Sequence, residues 1–312
     1  MGFNVSRDDM TSEQPTTIPP HGDAPTVSVL RPGEEVTGVY ACTRKDRLTT
    51  RTGSPYLALE LRDRTGTVSA RAFQNADALA GRFERGDIVR VSGRVERFRD
   101  ALTLELSDIA RADGADGDPG RFLPTAYRDL DELDGFLEHL AGEVYDRAYS
   151  RLLADLLADR TLRAQWRRAP CTQKTHHSYL GGLLEHTVAV ATLAHETCQL
   201  HPGVNSDLLI CAALVHDLGR TREFTYGAEI GVTDEGRLLG HLVIGERLLT
   251  DAARGVLDEG RLLALLHCVL AHHGPASAPG GRFQSVEAVA LFRLNAVDAT
   301  IKGGLEHGLG AD

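Results

Sequence analysis

Between Glu35 and Leu106 apolar and polar positions alternate in five runs, EVTGVYAC, YLALEL, TVSARAF, DIVRVSGRVERF and ALTLEL, separated by TGSP, DRTG, ERGD and RD. A period of two bounded by turn residues predicts strands. Leu57, Leu59 and Leu61 fall on one side of their strand, and Tyr56, Ala58 and Glu60 on the other. Val68, Ala70 and Ala72 alternate in the same way with Ser69, Arg71 and Phe73. Between the third and fourth strands, NADALAGRF reads as a helix. Past Pro124 the apolar spacing changes to three and four in ELDGFLEHLAGEV, AYSRLLADLLAD, GLLEHTVAVATLAHETCQL, SDLLICAALVHDL, LGHLVIGERLLTDAA, GRLLALLHCVLAHH and SVEAVALFRLNAVDATI. That is the spacing of helices. With no internal repeat and no heptad run, these helices predict a compact bundle. ADGADGDPG, between the two regimes, predicts a flexible connection.

Five short strands with a helix after the third predict an OB-fold barrel, so the fold class is multidomain: an all-β barrel followed by an all-α bundle. The expected boundaries are a disordered start at 1–27, the barrel at 28–112, a linker at 113–124 and the bundle at 125–312. Two domains also suit a chain of 312 residues. The net charge of −10 argues against a general nucleic-acid binder. Its distribution alters that view, because residues 31–112 hold 15 Lys/Arg against 12 Asp/Glu, a net of +3, whereas residues 113–312 carry −10. A basic module is joined to an acidic one. The acid-bearing N-terminus lacks the apolar run of a secretory signal, and no stretch is apolar enough to span a membrane. The five cysteines form no C-x-x-C pair, and Cys211 and Cys268 fall in apolar helical runs. They read as buried thiols of a cytoplasmic protein.

The chemistry is concentrated where apolar helices are suddenly interrupted. DLLICAALVHDLGR presents His216 and Asp217 at the end of a nearly all-apolar helix, with Gly219 expected to end it. A carboxylate in such surroundings costs several kcal/mol unless a cation pairs with it. His186 in GGLLEHTVAV, His241 in LLGHLVIG, His272 and His273 in AHHG, and Asp298 in ALFRLNAVDAT interrupt apolar faces in the same manner. One histidine on an apolar face is more often a satisfied core residue. Five in the order H…HD…H…HH…D, with two aspartates, predict a metal centre. Mixed imidazole and carboxylate donors favour manganese, with iron, cobalt or zinc as alternatives.

This pattern resembles the HD superfamily of phosphohydrolases, named for such a His-Asp pair. The resemblance implies that His186, His216, Asp217 and Asp298 hold a first metal. It assigns His241 and either His272 or His273 to a second, bridged by Asp217. Two divalent ions per chain then suit phosphoester hydrolysis. Arg220, directly after HDLG, is the candidate for neutralising transition-state charge and binding the substrate phosphate. The barrel-then-bundle order, with HHSYLGGLLEHT, LLICAALVHDLGR, DEGRLLGHLVIGE, AHHG and GSPYLALELRDRTG, is similar to the YhaM-type 3′→5′ exoribonucleases over residues 33–303. It implies that His176 and His177 line a substrate channel, with His177 in a catalytic role, and that Lys174 meets a phosphate.

Barrels that grip single strands use an outer basic face with aromatics for base stacking. Strand parity puts Tyr56, Arg71 and Phe73 on that face, with Arg90 and Arg94 nearby and Tyr40 as a further candidate. The expected partner is single-stranded RNA, with single-stranded DNA as the alternative, no membrane, and a homo-oligomer left open. Two other functions compete: a nucleotide phosphohydrolase acting on small molecules, and a nucleic-acid adaptor whose bundle is only structural.

Overall fold

The structure, a computed structural model, describes residues 25–98 and 101–308. Five strands, β1 (Glu35–Thr49), β2 (Pro55–Asp63), β3 (Gly66–Ala72), β4 (Ile88–Phe98) and β5 (Ala101–Arg111), close into a barrel in the order β1-β2-β3-β5-β4. Only β3 and β5 pair in parallel. The inward set Leu57, Leu59, Leu61, Val68, Ala70, Ala72, Val91, Val95 and Leu104 fills the barrel as the alternation predicts. A short helix α1 (Ala76–Ala80) covers one end through Ala76 and Leu79. Most of the stretch expected to be disordered, residues 1–24, lies outside the described residues. Val27 already packs on the barrel, and its backbone N–H donates to Asp63 at 2.7 Å.

The second domain is built from α2 (Leu130–Gly142), α3 (Arg147–Ala158), α4 (Arg160–Arg168), α5 (Gly182–Leu200), α6 (Ser206–Val215) and α7 (Arg220–Glu223), then a hairpin of β6 (Phe224–Tyr226) and β7 (Ile230–Val232), then α8 (Asp234–Ala252), α9 (Glu259–Ala271) and α10 (Val286–His307). Helix α6 lies at the centre, with every side chain from Leu208 to Val215 buried. Its N-terminus is capped by Asn205, as α2, α3 and α4 are by Asp129, Asp146 and Asp159. Helix α4 and the hairpin escape the apolar-spacing analysis. α4 anchors through Leu162 and Trp166 alone among arginines, and the hairpin strands have three residues each. No helix among the described residues is long and apolar enough to cross a membrane.

The connection between the domains is not the loose tether its composition suggests. Asp116 pairs with both Arg90 and Arg121, Asp118 pairs with Arg168, and Phe122 and Leu123 are buried. An apolar seam of Val39, Ala41, Ile88, Ala112, Phe122 and Ala228 joins barrel to bundle. At its edge the hairpin docks on the barrel. Ala228 donates its N–H to the Gly86 carbonyl at 3.0 Å, and its carbonyl accepts from Arg62 Nη2 at 2.6 Å.

Candidate metal centre and nucleic-acid face

Two helices end in histidines that cap them. His216 meets the Ala213 carbonyl through Nδ1 at 2.8 Å, and His272 meets the Val269 carbonyl through Nδ1 at 2.6 Å. A carbonyl only accepts, so both Nδ1 atoms are protonated and both Nε2 atoms face Asp217 as bare lone pairs. Gly219 draws α8 against this point. A Cβ there would lie 2.0 Å from the His241 carbonyl oxygen and 2.6 Å from the Gly245 nitrogen. Gly219 does not end the helix as expected, since α6 stops at Val215 and Gly219 opens α7. It keeps a helical φ of −61° and serves a close backbone approach. Gly240, at φ 69°, breaks α8 immediately before His241 and turns that ring towards Asp217.

Asp217 faces both ways. Its Oδ2 lies 3.6 Å from His216 Nε2 and 3.8 Å from His186 Nε2. Its Oδ1 lies 3.4 Å from His272 Nε2 and 3.5 Å from His241 Nε2. His186 and His216 approach Nε2 to Nε2 at 3.2 Å, and His241 and His273 do the same at 2.8 Å. The buried Oδ1 of Asp217 and Nε2 of His272 have no hydrogen-bond partner among the described residues. Lone pairs aimed at one another, with an orphaned carboxylate oxygen between them, call for a cation. Donor separations of this size suit ions bound at about 2.1 Å. The donors form two groups sharing Asp217: His186, His216 and Asp217, and Asp217, His241, His272 and His273. Both histidines of AHHG thus point into the second group.

Electrostatics keep these donors ready. Burial opposes ionisation of Asp217, but the Arg220 guanidinium beside it outweighs this and holds its pKa well below the usual carboxylate range. Burial drives His216 well below its ordinary value and lowers His272. Burial and the neighbouring His186 bring His176 down to about 4. These imidazoles are therefore neutral in the folded state where the unfolded chain, titrating near 6.5, takes up protons. The unfolded state then binds more protons, so stability falls as pH drops below about 6.5. Chelator-treated protein is therefore expected to lose stability steadily as pH falls from about 6 to 5, with His216 and His272 both contributing. Urea midpoints across that range test this, and a flat profile would mean that the rings are not held neutral.

Asp298 reaches the cluster differently from expectation. Its Oδ2 lies 2.6 Å from His186 Nδ1 and 2.9 Å from His177 Nε2, on the far side of the His186 ring from His216. His177 does not line a channel. It is 1% exposed, and its other nitrogen lies 2.9 Å from the Tyr179 hydroxyl. His176 is half-buried beside His186, while Lys174 is exposed on the same loop. Arg220 is buried, donating from Nε to Asp217 Oδ2 at 2.7 Å and from Nη1 to Glu223 at 3.1 Å. Sequence reasoning missed Cys171, whose thiol donates to Asp217 Oδ2 at 3.6 Å, and Glu223, which lies 3.4 Å from His241 Nδ1. Cys171 follows no apolar period, but Glu223 lies one turn after Arg220 and could have been read from that spacing.

On the barrel, Tyr56 and Phe73 stack at 5.3 Å, and the Arg71 guanidinium lies 4.3 Å from the Phe98 ring centre. Phe73 and Phe98 are both about two-fifths exposed, at 44% and 43%. Arg94 is exposed and, with Phe73, lines a hollow of 370 Å³. Phe98 was readable, since it shares strand parity with Arg94 and Glu96. Two expected contacts are corrected. Tyr40 is 1% exposed in the barrel core, its hydroxyl donating to the Pro25 carbonyl at 2.6 Å, and burial pushes its pKa up to about 12. Arg90 turns to the seam and pairs with Asp116.

Comparison with known proteins agrees with both halves. Residues 183–300 match the HD domain, and residues 39–111 match the OB-fold nucleic acid binding domain. The chain thus carries an HD domain behind an N-terminal OB-fold barrel, the combination of a metal-dependent hydrolase. Within that class it resembles the YhaM-type enzymes. It is 29% identical over 278 residues to the 3′-5′ exoribonuclease YhaM of Shouchella clausii, covering 87% of this chain and 85% of that protein. The YhaM of Bacillus velezensis is 28% identical over 270 residues, covering 86% and 85%. Among solved structures, the second OB-fold domain of replication protein A from Methanococcus maripaludis is 21% identical and covers 29% of this chain and 95% of its own, with a TM-score of 0.24.

Proposed function

We propose that this protein is a cytoplasmic 3′→5′ exoribonuclease that grips single-stranded RNA on its barrel and hydrolyses the terminal phosphodiester in its bundle. The observation that carries this reading is the platform of exposed Phe73 and Phe98 with half-buried Tyr56 and Arg71, on a barrel seamed to the bundle that holds the His/Asp cluster. A small-molecule phosphohydrolase has no use for it. Two divalent ions, manganese first, held by His186, His216 and Asp217 and by Asp217, His241, His272 and His273, would supply hydroxide near neutral pH and Lewis-acid stabilisation. The chain's own groups prepare the site. Arg220 compensates the buried Asp217 and brings positive charge to it, and Lys174 offers a mobile cation for a phosphate at the rim. The aromatic platform stacks bases without selecting among them.

Purified protein with Mn²⁺, given 5′-labelled RNA, 5′-labelled single-stranded DNA and a panel of nucleotides, should produce a ladder shortening from the 3′ end of RNA. Turnover of free nucleotides alone would replace this reading with that of a nucleotide phosphohydrolase. The double substitution Arg71→Ala, Phe73→Ala should weaken single-strand binding by about 1–3 kcal/mol for the lost stack. It should also flatten the log–log salt dependence by at most about 0.7. Fluorescence anisotropy at two salt concentrations measures both, and metal content should stay unchanged. Binding equal to wild type would exclude this face as the grip.

A further inference from the structure

Behind the first group of donors runs a continuous polar chain. Asp298 Oδ2 joins His186 Nδ1 to His177 Nε2, and His177 Nδ1 lies 2.9 Å from the Tyr179 hydroxyl. That hydroxyl donates to Glu185 Oε2 at 2.8 Å, and Glu185 Oε1 accepts from Lys302 Nζ at 3.0 Å. Glu306, one turn beyond Lys302 on α10, closes the ring by accepting the His177 backbone N–H at 3.2 Å. These seven residues come from three separate segments: His177 and Tyr179 from the loop before α5, Glu185 and His186 from α5 itself, and Asp298, Lys302 and Glu306 from α10.

The backbone bends to build it. His177 adopts a φ of +49°, a left-handed conformation uncommon outside glycine. Gly182 permits this, because a Cβ there would lie 2.1 Å from the His177 carbonyl oxygen. Unusual backbone held by its surroundings gathers where geometry matters. Both ring nitrogens of His177 meet oxygen atoms of the chain, so it has no nitrogen left for a substrate.

We infer that His177, Tyr179, Glu185 and Lys302 form a positioning chain that holds Asp298, and through it the His186 ring, in the orientation that ligates metal. An ionised Asp298 accepts from His186 Nδ1, which fixes that tautomer and leaves Nε2 bare towards His216 and Asp217. His177 supplies the second donor that keeps Asp298 from swinging away. Tyr179 and Glu185 hold the His177 ring in turn, and Lys302 balances the charge of Glu185. His177 is thus a positioning residue and not a catalytic one. This inference rests on the metal-dependent reading above.

The test is Mn²⁺ affinity, measured by titration calorimetry on the full-length protein, beside thermal melts of the chelated forms. Tyr179→Phe removes one hydroxyl and keeps the ring. It should raise the dissociation constant about tenfold, and His177→Ala should raise it by about 10- to 100-fold. His177→Gln, whose amide nitrogen can still donate to Asp298, should recover much of the affinity lost by alanine. Unchanged affinity in both Tyr179→Phe and His177→Ala would overturn the chain, as would equal losses in His177→Ala and His177→Gln. Wild-type protein that takes up no Mn²⁺ would overturn the metal reading itself, and this inference with it.

Discussion

Replacing Asp217 with asparagine should strip both ions and lower phosphodiester hydrolysis by about a thousandfold, or about 4 kcal/mol of transition-state stabilisation. The size of the effect follows from geometry. One oxygen faces His186 and His216, and the other faces His241 and His272, so a single change damages both donor groups. Asparagine keeps the shape but removes the charge and turns one acceptor into a donor aimed at imidazole lone pairs. It also leaves Arg220 buried with Glu223 as its remaining carboxylate. His241→Ala touches only the second group and should leave about half the metal in place. Elemental analysis of the purified variants and rates on bis-p-nitrophenyl phosphate give the comparison. Full occupancy and an unchanged rate in Asp217→Asn would remove this residue from the centre.

Gly219→Ala should destabilise the bundle by about 3 kcal/mol and lower its melting temperature by roughly 6–10 °C. The residue is helical, so alanine would ordinarily be neutral or mildly stabilising there. Any loss is therefore steric. The added carbon would lie 2.0 Å from the His241 carbonyl oxygen, a backbone atom that no side-chain rotation can relieve. Helix α8 must retreat and carry His241 away from Asp217, so the second metal should bind more weakly than the first. Calorimetry of the chelated protein followed by metal titration separates the two effects. A melting temperature equal to wild type would mean that α7 and α8 do not meet as closely as the structure has them.

The barrel, the bundle and the His/Asp centre were all readable because each rests on a local pattern. Leu57, Leu59 and Leu61 report a period of two, and a histidine or aspartate breaking an apolar helix reports an internal site. What failed were residues whose environment is made by another part of the chain. Strands β1 and β4 are buried on both faces: Tyr40 and Val91 turn into the barrel, whereas Val39, Ala41 and Ile88 turn to the seam. Arg90 shares that seam-facing parity, which is why it meets Asp116 and not a nucleic acid. A strand covered on both sides does not reveal which face meets solvent. His177 failed for a related reason, since its partners Glu306 and Asp298 lie more than a hundred residues away. The aspartates of the connection read as a solvated tether because nothing nearby in sequence announces Arg90 or Arg168 as their partners.

The docking of Ala228 between Gly86 and Arg62 bears on what such an enzyme would leave behind. A barrel fixed to its bundle cannot slide closer to the catalytic centre as a substrate shortens. On the proposed function, the gap between the aromatic platform and the metal donors would work as a ruler. A strand long enough to reach both would be held at two points, and one trimmed below that length at one. Digestion would end in a limit oligonucleotide whose size is set by the seam, and loosening the seam would blur the cut-off.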